Sequence, residues 1–105
     1  MYYTYMLRCA DNSIYTGITT DLKRRMDEHF NKLEKGAKYT HSHTAIKLEI
    51  AWESENKSLA SKLEYQIKHL SKLNKEALIS TKNLETYLGD KIDVSSYYLI
   101  KKICK

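Results

Sequence analysis

Residues 13–30 place three side chains that can do acid-base and phosphate chemistry within one short span. This span reads S-I-Y-T-G-I-T-T-D-L-K-R-R-M-D-E-H-F, and its character changes from strand-like to helical after the glycine. Arg25 and His29 are four residues apart, which puts them one turn apart on one side of the helix. A guanidinium binds a phosphate through two parallel hydrogen bonds, and an imidazole can bind a phosphate or transfer a proton. Tyr15 precedes both on the strand.

An antiparallel hairpin must carry the tyrosines. The aromatic-rich run at 2–9 predicts strand one, the Asp- and Asn-containing segment 10–12 predicts a turn, and 13–19 predicts strand two. A loop with an odd number of residues places Tyr5 and Tyr15 on the same face of the sheet, whereas a two-residue loop separates them. The turn at 10–12 would give the first arrangement.

A helix should follow the hairpin, with Thr20 as its N-cap and Asp21 at the positive end of its dipole. Its apolar residues recur at spacings of four, four and three, at Leu22, Met26, Phe30 and Leu33. On a helical wheel His29 lies close to this apolar stripe and Arg25 at its flank. Both side chains are therefore directed at the seam between helix and sheet.

A third strand and a second helix complete the predicted core. The alternation of Leu48, Ile50 and Trp52 predicts strand three. A helix over residues 57–73 has an apolar face with Glu64 at its edge. The predicted fold class is therefore α+β, with a small three-stranded antiparallel sheet flanked by helices.

The C-terminal part of the chain predicts a third helix over residues 75–88, closed by Gly89. The end of the chain is compatible with either strand or helix. We expect residues 1–79 to form one domain and residues 80–105 to be an extension packed on it. An exposed edge strand and the Y-Y-L-I run at 97–100 would allow a homodimer or a protein partner.

Charge and composition favour an anionic partner. The 105 residues include 18 Lys and Arg against 13 Asp and Glu, a net charge of +5. Seven of these bases and three acids lie between residues 23 and 47, which indicates a footprint for a phosphate backbone, although so modest a charge also serves solubility. Cys9 and Cys104 lack metal-ligand spacing and are interpreted as reduced thiols of a cytoplasmic protein. No signal peptide is visible, and no apolar run approaches the roughly 20 residues that span a bilayer, so no membrane partner is expected.

Several motifs follow one another in an order that is specific as a set. In chain order they are Y-T-Y at 3–5, Y-T-G at 15–17, Arg25, His29, K-G-A-K-Y-T at 35–40 and L-E-Y-Q-I-K at 63–68. The chain thereby resembles the GIY-YIG endonuclease family, and in particular its small standalone bacterial members, over roughly residues 1–79. The first motif lacks its Gly-Ile, and the second has Thr16 in place of the usual isoleucine; both replacements suit a strand.

The resemblance implies roles for five residues. Tyr15 would bind or deprotonate the attacking water, and Tyr5 would hydrogen-bond the same water or the scissile phosphate. Because a phenol has a pKa of about 10, a metal or another cation must favour its ionised form. Arg25 would clamp the phosphate, and His29 would bind it or assist proton transfer. Glu64 would hold a single divalent metal, Mg²⁺ or Mn²⁺.

Each of these residues also has an ordinary structural interpretation. The tyrosines could simply pack on a half-buried strand, and Glu64 could form an i,i+4 pair with Lys68 worth about 0.3–0.5 kcal/mol. Gly17 is expected to support the site by leaving no Cβ between strand two and helix one. Contacts with nucleic acid are expected from basic and aromatic side chains of helix one and the next loop, namely Lys23, Arg24, Lys38, Tyr39 and His41.

The leading functional hypothesis is a metal-dependent, structure-selective DNA endonuclease of repair or recombination. It would act on flaps, branches or single-stranded regions, because we expect no separate domain that reads sequence. The alternative is a catalytically weak nucleic-acid-binding module on the same fold that acts with a partner. A small basic RNA- or ribosome-associated protein is a third hypothesis, suggested by charge alone.

Overall fold

The fold is a four-stranded antiparallel sheet with helices on both faces. The computed structural model of the protein describes residues 1–31 and 43–101. The strands lie in the order β2-β1-β3-β4, where β1 is Tyr2–Cys9, β2 is Ile14–Thr19, β3 is Ala45–Ser54 and β4 is Tyr98–Leu99. The helices are α1 (Leu22–Phe30), α2 (Lys57–Lys68), α3 (Lys72–Thr81) and α4 (Leu84–Leu88), followed by a 3-10 turn at Val94–Ser96. The α+β class is confirmed, and the predicted three-stranded sheet has a fourth strand of two residues.

The β1–β2 hairpin has the register that puts both tyrosines on one face. Tyr5 lies opposite Gly17 in the ladder, and the last pair is Arg8 with Ile14. Residues 9–13 therefore lie between the last paired positions, an odd number, so Tyr5 and Tyr15 share a face. Asn12 takes the left-handed conformation in this turn, with φ of 69°.

The two faces of the sheet carry separate apolar clusters. On one face, Met6 and Trp52 pack with Leu63 of α2. On the other face, Tyr5 packs with Met26 of α1. The sheet is therefore covered on both sides, and α1 and α2 approach it from opposite faces.

A β-bulge in β3 changes the pattern that simple alternation predicts. Met6 lies opposite Ile50, but Leu7 lies opposite Leu48, so Glu49 is an extra residue at this point. Leu48 consequently joins the cluster on the α1 face rather than the one that holds Ile50 and Trp52.

Helix α1 begins one residue later than predicted. Asp21, not Thr20, is the N-cap, because its carboxylate accepts a hydrogen bond from the backbone N–H of Arg24 at 3.1 Å. The predicted apolar stripe is partly wrong, since Phe30 is 39% exposed whereas Glu28 and His29 are buried. Leu33 lies outside the described residues.

The helices after β3 are shorter than the periodicity indicates. The helix predicted over 57–73 ends at Lys68, and Ser71 caps a new helix by accepting from the N–H of Asn74. The helix predicted over 75–88 is two helices, because Lys82 adopts a left-handed conformation and Asn83 caps α4. In both cases a polar side chain satisfies the free N–H groups of a fresh helix start, which competes with continuing the old one.

The C-terminal segment contributes to the larger of the two clusters. Leu84, Leu88, Ile92 and Tyr97 are buried against the Trp52 side of the sheet. The Tyr97 hydroxyl donates a 2.7 Å hydrogen bond to the carbonyl of Leu59 in α2. Across residues 1–31 and 43–101, no helix combines the length and the apolar character needed to cross a membrane.

Candidate active site

Tyr5, Tyr15 and His29 form an aromatic cluster on the α1 face of the sheet. The ring centroids lie 6.2 Å apart for the two tyrosines, 5.6 Å for Tyr5 and His29, and 5.4 Å for Tyr15 and His29. The Tyr5 hydroxyl and His29 Nε2 share a 2.8 Å hydrogen bond, and both side chains are inaccessible to solvent. The last turn of α1 therefore closes directly over the hairpin, as the helical wheel predicts for His29.

The two tyrosines differ in their surroundings. Burial raises the pKa of Tyr5 well above its ordinary value of 10, and a negative charge on Tyr15 would raise it further, while Arg25 lowers it. Tyr5 therefore keeps its proton at neutral pH and can donate to His29. Tyr15 lies on β2, an edge strand, and its side chain is partly exposed. Of the two phenols, Tyr15 is the one that a substrate or water can reach.

Gly17 is required by a close approach between side chains. A Cβ on Gly17 would lie 2.6 Å from the Tyr5 hydroxyl oxygen and 2.9 Å from Cε2 of Tyr15. The space that glycine leaves is therefore filled by the two phenol rings, and not by helix one as the sequence suggested. Gly17 allows both rings to occupy one face of the hairpin.

Arg25 reaches this cluster from the flank of α1. Its Nη1 donates to Oε1 of Glu28 at 2.8 Å, and Glu28 is itself buried. Burial opposes the charged guanidinium, but hydrogen bonding to Glu28 and to Tyr5 raises the pKa of Arg25 overall. The carboxylate thus holds the guanidinium in one orientation beside Tyr5.

Glu64 and Lys68 come to the cluster from α2. The Lys68 Nζ lies 3.5 Å from Oε2 of Glu64 and 6.0 Å from the ring centroid of Tyr15. The i,i+4 pair predicted as the ordinary interpretation of Glu64 is therefore present. The same pair also lies beside Tyr15, and the Glu64 charge acts on the hydroxyl of Tyr5.

The donor set at Glu64 fits a hard divalent cation that keeps most of its water. The Glu64 side chain is 24% exposed, so its carboxylate is accessible beside the Lys68 ammonium. Within residues 1–31 and 43–101, no three His, Cys, Asp or Glu side chains are grouped as a closed metal site. A single carboxylate, water and a substrate phosphate are the ligands that Mg²⁺ commonly takes.

The predicted nucleic-acid contacts fall into three groups. Arg24 is exposed and lines a shallow depression that Arg25 and Glu28 also line. Lys23 is exposed too, but it lines a different depression together with Glu53. Three further predicted residues, Lys38, Tyr39 and His41, lie outside the described residues.

Sequence reasoning missed Glu28 and undervalued Lys68. Glu28 is three residues after Arg25, a spacing that brings two side chains together on a helix and could have signalled the pair. Lys68 was considered only as a partner of Glu64. Its position over the Tyr15 ring depends on how α2 packs against the sheet, which no local pattern contains.

The hairpin tyrosines, the helix arginine and the glutamate from a later helix all lie in the part of the chain that matches a known domain. A model of the GIY-YIG catalytic domain matches residues 1–77 of the chain. The chain belongs to the GIY-YIG family. The resemblance noted over roughly residues 1–79 is thereby confirmed.

Similar GIY-YIG proteins carry the name UPF0213. The UPF0213 protein of Fusobacterium nucleatum is 48% identical over 79 residues, covering 75% of this chain and 77% of that protein. The UPF0213 protein of Halalkalibacterium halodurans is 44% identical over 81 residues, covering 77% and 84%. The NMR solution structure of a Bacillus halodurans UPF0213 protein has a TM-score of 0.51 at 40% identity, covering 89% of this chain and 98% of that one.

Proposed function

We propose that this protein is a metal-dependent endonuclease that hydrolyses phosphodiester bonds in DNA. The observation that carries the proposal is the approach of Arg25 and of the Glu64–Lys68 pair to the cluster of Tyr5, Tyr15 and His29, in which the Tyr15 side chain is partly exposed. Membership in a family named for a catalytic domain supports a nuclease-type function. The net charge of +5 supports an anionic substrate.

In this proposal Tyr5 and Tyr15 have different roles at the attacking water. Tyr5 keeps its proton and, through its hydrogen bond with His29, holds the floor of the site in place. Tyr15 is the accessible tyrosine; as a phenolate it orients the water and takes its proton while the water attacks phosphorus and the bond from phosphorus to the leaving oxygen breaks. The ammonium of Lys68 lies 6.0 Å from the centroid of the Tyr15 ring, so a positive charge is present beside this side chain.

Arg25 stabilises the charge that develops on the phosphate. A planar guanidinium matches two non-bridging oxygens better than a lysine ammonium does. The buried carboxylate of Glu28 fixes the Arg25 side chain before substrate arrives, so little reorganisation is needed when the phosphate binds.

Glu64 is the residue that would hold a single divalent metal, Mg²⁺ or Mn²⁺. Such an ion supplies charge neutralisation for the phosphate and its leaving oxygen. The Lys68 ammonium lies 3.5 Å from the same carboxylate, so it supplies positive charge there before the metal binds. We expect weak metal affinity without DNA, since one carboxylate provides few of the ligands.

The substrate is proposed to be DNA with branched, flapped or single-stranded character, met during repair or recombination in the cytoplasm. The residues assembled at the site grip phosphate and water rather than base edges, which favours recognition of backbone shape over sequence. The proposal also includes binding to a protein partner or to a second copy of the chain.

The test is cleavage of labelled single-stranded, duplex, flap and branched DNA with Mg²⁺ or Mn²⁺. We expect the wild type to cleave at least one substrate, and Glu64→Gln and Arg25→Lys each to lower the rate by about 10²–10³-fold, the usual cost of removing one preorganised charged group. Glu55→Gln and Lys57→Arg are matched controls on exposed residues and should retain most of the activity.

Binding without cleavage on every substrate and with either metal would contradict the proposal. That result would favour the alternative of a nucleic-acid-binding module that acts with a partner. In that case Glu64→Gln should leave the affinity for DNA unchanged or improved, because it removes only a negative charge.

A further inference from the structure

A groove beside α2 is lined by aromatic and basic side chains that the proposed reaction does not use. Tyr65 and His69 stack on each other at the surface of the helix, with ring centroids 4.1 Å apart and planes inclined by 36°. Tyr65, His69, Tyr87 and Lys91 line a groove of about 400 Å³ between α2 and the segment that follows α4. The groove is large enough for one planar heterocycle.

The Tyr65–His69 pair is held ready before any ligand binds. His69 Nδ1 is 2.7 Å from the carbonyl oxygen of Tyr65, which fixes the imidazole ring one turn along the helix. Tyr65 is 58% exposed, so more than half of its side chain is presented to water. A free aromatic surface of this kind favours stacking with another π system.

The charge of the groove matches a nucleotide. Its lining includes the ammonium of Lys91 and the imidazole of His69, and no carboxylate lines it. Gln66 offers an amide that can both donate and accept a hydrogen bond at the edge of a base. Stacking, hydrogen bonding and a phosphate-binding cation are thus present together.

The groove and the proposed active site share helix α2. Glu64 and Lys68 form one i,i+4 row on α2, and Tyr65 and His69 form the adjacent row, one residue round the helix. Consecutive residues of one helix thus carry the proposed metal ligand and an exposed aromatic ring. A base can enter the groove only if it is not paired in a duplex.

We propose that Tyr65, His69, Tyr87 and Lys91 form a binding site for one unpaired nucleobase of a DNA strand whose phosphate lies at Glu64. This inference rests on the proposed nuclease function for its orientation, and it deepens that function by making an unpaired base next to the cleaved bond a requirement for tight binding. Gln66 contacts the base edge, and Lys91 contacts the adjoining phosphate.

The experiment uses the full chain and short single-stranded DNAs that each carry one 2-aminopurine, a fluorescent base quenched by stacking, with a chelator present to prevent cleavage. We expect quenching at one or two adjacent positions. Tyr65→Leu should abolish that quenching and weaken binding by about 5- to 150-fold, the loss of one stacked base. Tyr65→Phe should retain both.

Tyr98→Leu is the matched control, because Tyr98 is 62% exposed but lies on β4 away from α2. Lys91→Ala should lower the slope of affinity against salt by about 0.7, the effect of one phosphate contact on a single strand. The inference is overturned if no position is quenched, or if Tyr65→Leu behaves as Tyr98→Leu does.

The same measurements separate this inference from the proposed function. Local quenching that depends on Tyr65, in a protein that cleaves no DNA, would sustain the base site and contradict the nuclease. Cleavage that is unaffected by Tyr65→Leu on every substrate, with no local quenching, would sustain the nuclease and overturn the base site.

Discussion

At the scale of single residues, Gly17, Tyr5 and His29 depend on one another. Gly17 lies opposite Tyr5 in the β1–β2 ladder, and its missing Cβ is the space that the Tyr5 hydroxyl occupies. Tyr5 in turn shares its hydroxyl with the buried His29. A change at any of these three positions should therefore be felt at the other two.

Gly17→Ala is predicted to destabilise the fold by about 1–3 kcal/mol and to lower cleavage strongly, because the new methyl group overlaps Tyr5 and displaces both phenols. Urea unfolding and the DNA cleavage assay measure the two effects. In a Tyr5→Phe background the closest contact is absent, so the same Gly17→Ala change should cost less. An equal cost in both backgrounds would contradict the proposed contact.

Tyr5→Phe is predicted to lower the free energy of unfolding by about 1–3 kcal/mol, because it removes a buried hydrogen bond to His29. The same substitution should also change how the free energy of unfolding depends on pH in alkaline solution. The raised pKa of Tyr5 means that its contribution is fully present below pH 10 and is lost as the pH rises from 10 toward the folded-state pKa.

The measurement for this pH effect is the unfolding free energy between pH 8 and pH 11. Stability of the wild type should fall above pH 10, and that of Tyr5→Phe should fall less steeply. Burial also raises the pKa of Tyr3 and Tyr97, so part of the slope should remain. Identical slopes in the two proteins would show that Tyr5 does not contribute.

At the scale of elements, Arg8 joins β1 to β3 and to α3. Its Nε donates to Glu49 at 3.0 Å, and its two terminal nitrogens donate to both carboxylate oxygens of Glu76 at 2.5 Å. Glu49 is the extra residue of the β3 bulge, so the bulge provides one of the two partners of Arg8. This bidentate pair attaches α3 to the strand that carries Tyr5.

Glu76→Gln is predicted to weaken the fold by about 1 kcal/mol at neutral pH, a value reduced by solvent screening because the carboxylate is about one-third exposed. Hydrogen bonding from Arg8 lowers the pKa of Glu76 from 4.5 to about 2. The stabilisation is therefore complete above pH 4.5 and is lost as the pH falls from 4.5 to 2.

Urea unfolding across this acid range gives the check. The wild type should lose more stability than Glu76→Gln between pH 4.5 and pH 2, whereas Glu55→Gln, at an exposed glutamate, should follow the wild type. If the free energy of unfolding of Glu76→Gln falls in parallel with that of the wild type, Glu76 does not contribute to acid stability.

On the scale of the whole molecule, the segment after residue 83 shares an apolar core with residues 1–77, which match the GIY-YIG catalytic domain. Leu88 is 1% exposed and belongs to the same cluster as Trp52 and Leu63. The family match ends at residue 77, so this contribution to the core comes from outside the matched region.

Leu88→Ala is predicted to destabilise the entire protein by about 2–5 kcal/mol in one cooperative transition, because it leaves a cavity in this shared cluster. Leu73→Ala, at a leucine that is 78% exposed, should change stability by no more than about 0.5 kcal/mol. Circular dichroism during thermal unfolding reports both. A separate early transition for Leu88→Ala would mean that the C-terminal segment unfolds independently.

The sequence by itself determined which residues share one side of a strand or helix in this protein. Strand alternation and loop parity put Tyr5 and Tyr15 together, and helical periodicity directed His29 and Arg25 at the sheet, because each depends only on the geometry of one element or one tight turn. The order of the motifs was enough to indicate the family. Glu64 was likewise predictable as the edge of an amphipathic helix.

Only the tertiary structure decided which other elements these strands and helices contact. The bulge at Glu49 and the fourth strand at Tyr98–Leu99 depart from simple periodicity, because each depends on contacts with residues distant in the sequence. The approach of Lys68 to Tyr15 depends on how α2 packs at the edge strand. Periodic patterns specify which side of an element is buried, but the distance between two elements is set by the packing of the complete core.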